Sequence, residues 1–161
     1  MHIDTSVIQA LVFDFSRVLL FAKDPDYKDD LNPLHRKLLE QDADYPFLEY
    51  FYLNQELLDY LGELGTKRRF IFTSGIIQDA PAIQANIRGV FEAIYSAEKM
   101  GVRKTEPDAY RQLCQNIQLQ PHEVLFVDDS QRNLDAAAQT GMQTFLFTGN
   151  EGLLPALEIL R

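Results

Sequence analysis

Cysteine is nearly absent from the chain. Cys114 is the one residue of its kind, so no internal disulfide can form and a reducing compartment suits the protein. Long hydrophobic runs are missing too. The first apolar stretch, residues 7–13, falls far short of the roughly 20 apolar residues that span a bilayer. No basic segment precedes it and no small-residue cleavage site follows, so we expect no signal peptide, no membrane partner and cytoplasmic residence. Positive charge is scarce: 15 Lys and Arg stand against 24 Asp and Glu, a net charge of −9. Without a basic face there is little counterion release to drive binding, and no nucleic-acid partner is expected. An anionic substrate stays compatible, because a metal or lysine overturns the global field at short range. The three histidines, His2, His35 and His122, are far apart and lack metal-ligand spacing, so they read as surface or incidental residues. Repeats, low-complexity tracts and linkers are also lacking. What is present, 161 residues with 46% hydrophobic content, fits one domain over 1–161 with its own core.

Short, continuously apolar runs predict strands at residues 10–15 (ALVFDF), 70–73 (FIFT), 123–127 (EVLFV) and 144–147 (TFLF), with a weaker one at 93–95. Lack of alternation is the mark of strands covered on both faces. Helical patterns lie between them. Residues 53–64 place Leu53, Leu57, Leu58, Leu61 and Leu64 on one face, ending at Gly65. Thr105-Glu106-Pro107-Asp108 has capping-box spacing with proline near a first turn. Residues 131–140 stop at Gly141, and 152–160 form a last short helix. Alternating strands and helices imply an α/β fold, a three-layer Rossmann-like parallel sheet with right-handed crossovers. Residues 23–52 break the rhythm. They hold Asp24, Asp26, Asp29 and Asp30, a helix around 33–41, and the aromatics Tyr45, Phe47, Tyr50, Phe51 and Tyr52. They read as a small helical insertion after the first strand, its aromatics buried against the core or, as the alternative, forming a contact surface for whatever covers the site.

In open parallel sheets ligands bind beyond the carboxyl ends of the strands. Here those ends carry Asp14, then Thr73-Ser74-Gly75, then Asp128-Asp129. Carboxylates gathered at one edge repel by roughly 4 kcal/mol per pair at 4 Å for an effective dielectric near 20, so such a cluster calls for a cation. All-oxygen ligation suits Mg²⁺. Each residue alone has a plainer reading: Asp14 as a turn former, Asp128-Asp129 as caps of the helix at Ser130, Thr73 and Ser74 as turn residues, Lys104 as a solvated lysine. The joint order makes the difference.

That order resembles the haloacid dehalogenase-like (HAD) superfamily, in the branch with a helical cap after strand one. LVFDFSRVLL resembles its first motif, a strand followed by D-x-D-x-[TV]. FIFTSG resembles the second, a strand ending in Thr or Ser. MGVRKTEPDAYRQL is similar to the third-motif region around its lysine, with Thr105 at the common proline, and VLFVDDSQRNLDAAAQTGMQTFLF to the fourth. The resemblance implies Asp14 as nucleophile, giving an aspartyl-phosphate. It implies Thr73 bonding a phosphoryl oxygen with help from Ser74 and Gly75 N–H groups, and Lys104 neutralising charge. It implies Mg²⁺ held by Asp14, Asp129, Asp128 directly or through water, and the carbonyl of Ser16.

Ser16 departs from the pattern, since the family's phosphatases carry a second Asp there as general acid and base. A hydroxyl cannot give and recover a proton at useful pH, and losing such catalysis costs a factor of about 10²–10⁴. Arg17 follows where the pattern has a small or polar residue; it can reach a substrate anion or be solvated. The insertion, about 30 residues, is shorter than full helical caps of this branch. A large substrate, such as a phosphoprotein, or a second subunit of a homodimer would then cover the site. The expectation is a slow Mg²⁺-dependent phosphohydrolase acting on a phosphorylated small molecule or phosphoprotein. The alternative is an impaired relative that only binds a phospholigand or protein. Dehalogenation fits poorly, since it needs no metal.

Overall fold

The computed structural model describes residues 3–161, so His2 lies outside the described residues. The first apolar run forms β1 (Ala10–Phe13), buried throughout. A tight turn with Arg17 at φ 64° leads into β2 (Leu20–Ala22). The insertion follows as α1 (Leu31–Gln41) and α2 (Phe47–Tyr50) and returns through β3 (Phe51–Leu53), which pairs antiparallel with β2. Then come α3 (Gln55–Glu63), β4 (Arg68–Thr73), a 3-10 turn at Ile77–Asp79 and α4 (Pro81–Ile87). The chain continues through β5 (Ala93–Ser96), α5 (Ala97–Met100), α6 (Pro107–Ile117) and β6 (Val124–Asp128). It closes with α7 (Gln131–Ala138), β7 (Gln143–Leu146) and α8 (Asn150–Glu158).

Five strands form one sheet in the order β5-β4-β1-β6-β7, every pair parallel. β1 therefore sits in the middle. Its side chains alternate between two cores, as the pleat dictates. Leu11 and Phe13 join a cluster with Leu57, Leu61, Ile83, Leu153 and Leu157, while Ala10 and Val12 join one with Tyr110, Leu113 and Leu134. Helices thus cover both faces, which is the three-layer arrangement expected from unalternating apolar runs.

Four local expectations need correction. Leu53 does not belong to the helix that precedes β4: it pairs with Leu20 in β3, and Asn54 caps α3 by accepting from Leu57 N–H at 3.3 Å. Pairing with a distant strand and a good cap residue together override the helical spacing of Leu53. The capping box at Thr105 does not form, since α6 begins with Pro107 after an N-cap Glu106 that makes no side-chain cap bond. The aromatics of the insertion divide instead of being buried together: Phe47 and Phe51 are buried with ring centroids 4.8 Å apart, while Tyr50 and Tyr52 are 42% and 48% exposed. His35 is not a surface residue: it is 5% exposed, and its Nδ1 lies 2.5 Å from the Tyr45 hydroxyl. Burial pulls its pKa below the ordinary value, with Arg36 acting the same way and Asp79 against. His122 is exposed as expected. Among the described residues, no helix is long and apolar enough to cross a membrane.

Candidate active site

Three neighbouring strands deliver the site. β1 ends one residue before Asp14, β4 ends in Thr73 and β6 ends in Asp128, so parallel pairing in register carries all three to one edge. Asp14 is fixed by its own N–H, which donates to the Val127 carbonyl at 2.8 Å. Asp14, Asp128 and Asp129 each offer a carboxylate oxygen, and these oxygens lie within 4.8 Å of one another.

Lys104 comes from the loop before α6 and is 4% exposed. Its Nζ lies 2.8 Å from Asp14 Oδ1 and 2.8 Å from Asp128 Oδ2, and over the rings of Phe72 and Phe126 at 5.6 and 5.2 Å. The Tyr110 hydroxyl donates to the Lys104 carbonyl at 2.6 Å and so anchors the residue to α6. Burial pulls the Lys104 pKa down, but Asp14 and Asp128 outweigh it and hold the ammonium above its ordinary value. A solvated surface lysine is thereby excluded.

The two carboxylates at the end of β6 are used differently. Asp128 is fully buried. Its Oδ1 accepts from Ser130 N–H at 2.8 Å, and its Oδ2 accepts from Asn133 Nδ2 at 3.1 Å besides Lys104. Asp129 is exposed and faces a cavity of about 380 Å³ that Asp14, Ser16, Thr73, Ser74 and Arg17 also line. Burial pushes the Asp14 carboxyl up to about 7, Lys104 opposing and Asp128 and Asp129 adding to it. Burial and Asp128 push Asp129 up to about 6. One ammonium does not balance three carboxylates, so the site carries surplus negative charge. Hard oxygen donors with that surplus fit a divalent cation such as Mg²⁺.

Two hydroxyls in the cavity wall, Ser16 Oγ and Thr73 Oγ1, are buried without a hydrogen-bond partner. Buried polar groups are rarely left so, and both are free to meet a ligand's oxygens. The backbone bonds that close the turn after Asp14 run to the Phe15 and Leu20 carbonyls and leave that of Ser16 out. Arg17 is half-buried, and its Nη2 donates to the Tyr27 and Asp29 carbonyls at 3.2 and 2.5 Å. It clasps the insertion while lining the cavity, so a purely solvated Arg17 does not hold. Gly75 does not line the cavity; it is buried with the amide of Asn32 packed against it.

Sequence reasoning missed Asn133 and Asn32. Asn133 reaches Asp128 only because α7 starts at Gln131 and turns once beside the strand end. Asn32 lies in the insertion, where no motif directs attention. Thr105, read in the sequence as a capping residue at the third motif's common proline, lines the cavity.

The fold has known counterparts. The family model for haloacid dehalogenase-like hydrolases matches residues 26–141. The chain belongs to that family. Among solved structures, an HAD-like family hydrolase from Porphyromonas gingivalis superposes with a TM-score of 0.68 at 20% identity, over 96% of this chain and 98% of that one. An HAD family enzyme from Bacteroides thetaiotaomicron, crystallised as the wild-type protein with magnesium and inorganic phosphate, superposes with a TM-score of 0.68 at 16% identity, over 91% and 98%. In sequence, the chain is 35% identical over 75 residues to enolase-phosphatase E1 of Lachancea thermotolerans, a match covering 45% of this chain and 34% of that protein. With the enzyme of the same name from Aquifex aeolicus it is 29% identical over 92 residues, covering 54% and 40%. The chain thus matches well under half the length of these curated relatives.

Proposed function

We propose that this protein is a Mg²⁺-dependent phosphohydrolase that cleaves a phosphomonoester through an aspartyl-phosphate on Asp14. The observation that carries the reading is the convergence, at one cavity, of the buried Asp14–Lys104 pair with the unpartnered hydroxyls of Thr73 and Ser16. The phosphatase relatives and the magnesium–phosphate complex of a structural neighbour support it.

Asp14 Oδ would attack phosphorus in line with the leaving oxygen. Lys104, held at 2.8 Å, favours the ionised carboxylate against its burial and offsets charge on the transferring group. Thr73 Oγ1 donates to an equatorial oxygen, with the Ser74 N–H beside it. Asp14, Asp129 and the Ser16 carbonyl would hold Mg²⁺, with Asp128 fixing their surroundings from behind. The bound ion would neutralise phosphoryl oxygens. Water then attacks the aspartyl-phosphate and releases phosphate and free Asp14. Ser16 cannot protonate the leaving group or activate that water as a carboxyl does, so turnover is slow and favours esters with good leaving groups.

The same reading takes the chain as one domain, 1–161, with a reduced cap over about residues 23–52. Part of the site is open, and exposed Leu48, Tyr50 and Tyr52 on the insertion favour cover by a second copy or by a large phosphorylated substrate. The same reading takes the protein as cytoplasmic. The serine at position 16 favours one second reading, a phospholigand-binding module without turnover. Beryllofluoride with Mg²⁺ decides between them. Trapping at Asp14, with ester turnover that Asp14→Asn abolishes, supports the enzyme. Mg²⁺ and phosphate binding without trapping or turnover supports the module.

A further inference from the structure

The first turn of α1 leans across the cavity toward the loop that follows Thr73. Asn32 is the second residue of that helix, yet its side chain serves another segment. Its Oδ1 accepts from Ile76 N–H and Ile77 N–H, at 3.0 and 3.0 Å. These donors open the 3-10 turn at Ile77–Asp79, where backbone N–H groups have no acceptor within their own turn. Asn32 therefore caps this turn from a distant part of the chain.

The fit is close. A Cβ built on Gly75 would run into the Asn32 amide, so a larger residue there would push the amide off its two donors. The opposite side of the loop is fastened as well. The Gly75 carbonyl accepts from Ser96 Oγ at 2.7 Å and Gln78 Nε2 at 2.8 Å, and the Ser74 carbonyl accepts from Glu98 N–H at 3.0 Å. The peptide unit joining Gly75 to Ile76 is thus held at both ends, its oxygen by the core and its nitrogen by the insertion. Since a peptide is planar, holding both ends sets its plane. A second tie parallels the first: Arg36, one turn along α1, meets both oxygens of the Glu98 carboxylate at 2.6 and 2.6 Å.

We propose that Asn32 is a positioning residue for phosphoryl recognition. By fixing the Gly75–Ile76 peptide it orients the backbone that leads there from Thr73, and so the Ser74 N–H and the Thr73 hydroxyl at the cavity, without touching the reacting atoms. The proposal rests on the phosphohydrolase reading and deepens it. The insertion then does more than cover the site: it completes the phosphate cradle from the outside. Losing the amide frees the Gly75–Ile76 peptide and loosens the loop before it, and small misplacement of the Thr73 and Ser74 donors in that loop is costly to phosphoryl transfer.

The test compares wild type, Asn32→Ala and Asn32→Asp with Mg²⁺. Readouts are turnover of 4-nitrophenyl phosphate, affinity for inorganic phosphate, and amide hydrogen exchange at Ile76 and Ile77. Asn32→Ala is expected to speed exchange at both amides and to lower kcat/KM about 10- to 100-fold. Asn32→Asp keeps an acceptor for both donors. It should restore amide protection and most of kcat, while its added charge beside the phosphate raises KM. A kcat split from KM in this way is not what simple loss of fold would produce. Unchanged kcat/KM in Asn32→Ala, or an Asn32→Asp variant with protected amides and no recovery of kcat, overturns the proposal alone. Wild-type protein that neither binds phosphate nor turns over the ester overturns the phosphohydrolase reading, and the proposal with it.

Discussion

Lys104 Nζ and Asp14 Oδ1 stand 2.8 Å apart, with the two side chains 2% and 10% exposed. The same ammonium meets Asp128 at 2.8 Å, so one lysine is the internal countercharge for two carboxylates at the ends of β1 and β6.

Replacing Lys104 with methionine leaves both carboxylates buried and uncompensated. Breaking a buried ion pair from one side costs about 3–5 kcal/mol, and in a chain of this size each kcal/mol is worth about 2–4 °C in melting temperature. Calorimetry of Lys104→Met in chelator should show a fall of about 6 °C or more. A melting temperature matching wild type would mean that Lys104 does not carry this load.

Metal addition should act with the opposite sign. Asp14 and Asp129 have folded pKa values of about 7 and about 6, above the ordinary 3.8. A carboxyl raised in this way stabilises the fold below its unfolded value, and that contribution is lost as pH rises through the folded one. Metal-free protein should therefore lose stability between about pH 4 and pH 7, and Mg²⁺ should restore it at pH 7.5. Asp129→Asn should melt no lower than wild type in chelator and should respond much less to Mg²⁺. A variant that responds to Mg²⁺ as wild type does would remove Asp129 from the ligand set.

Ser16→Asp should raise ester hydrolysis about 10²-fold or more, the usual worth of a placed acid–base group. Ser16 Oγ already faces the ligand's space without a partner, so the new carboxyl starts from the right wall. Steady-state rates with a poor leaving group are the sensitive measurement, because protonation matters most there. No gain would assign the slow step to the open insertion.

His35 supplies a separate acid sensitivity. Its pKa is depressed mainly by burial, so its contribution is present above the unfolded value of 6.5 and lost as pH falls through the folded one. With Mg²⁺ present, wild type should lose more melting temperature between pH 7.5 and pH 5.5 than His35→Gln does. Equal losses would show that the imidazole titrates alike in the folded and unfolded chain, its pocket imposing no cost on the charged form.

Much of the fold was legible because its signals are local. Runs such as ALVF and VLFV are apolar without alternation, and the residues that follow them, Asp14 and Asp128-Asp129, must then sit at a strand end. Lys104 was found only through its place in a motif, since nothing about a lone lysine announces burial. Leu53 misled because helical spacing and strand pairing compete, and its partner Leu20 lies on the other side of the insertion. His35 misled for the same reason: its burial depends on Tyr45 and Phe47 folding back onto α1.

Sequence alone determined the layered α/β plan, the edge where the acidic residues gather, and the serine two residues after Asp14. Apolar periodicity and the residues closing each strand are written in consecutive positions. Only the tertiary structure decided that Asp128 turns inward to Lys104 while Asp129 faces the cavity. It alone gave Arg17 to the insertion's carbonyls and laid the Asn32 amide on the loop beyond Thr73. Those outcomes depend on contacts between segments far apart in the chain, and no local pattern specifies them.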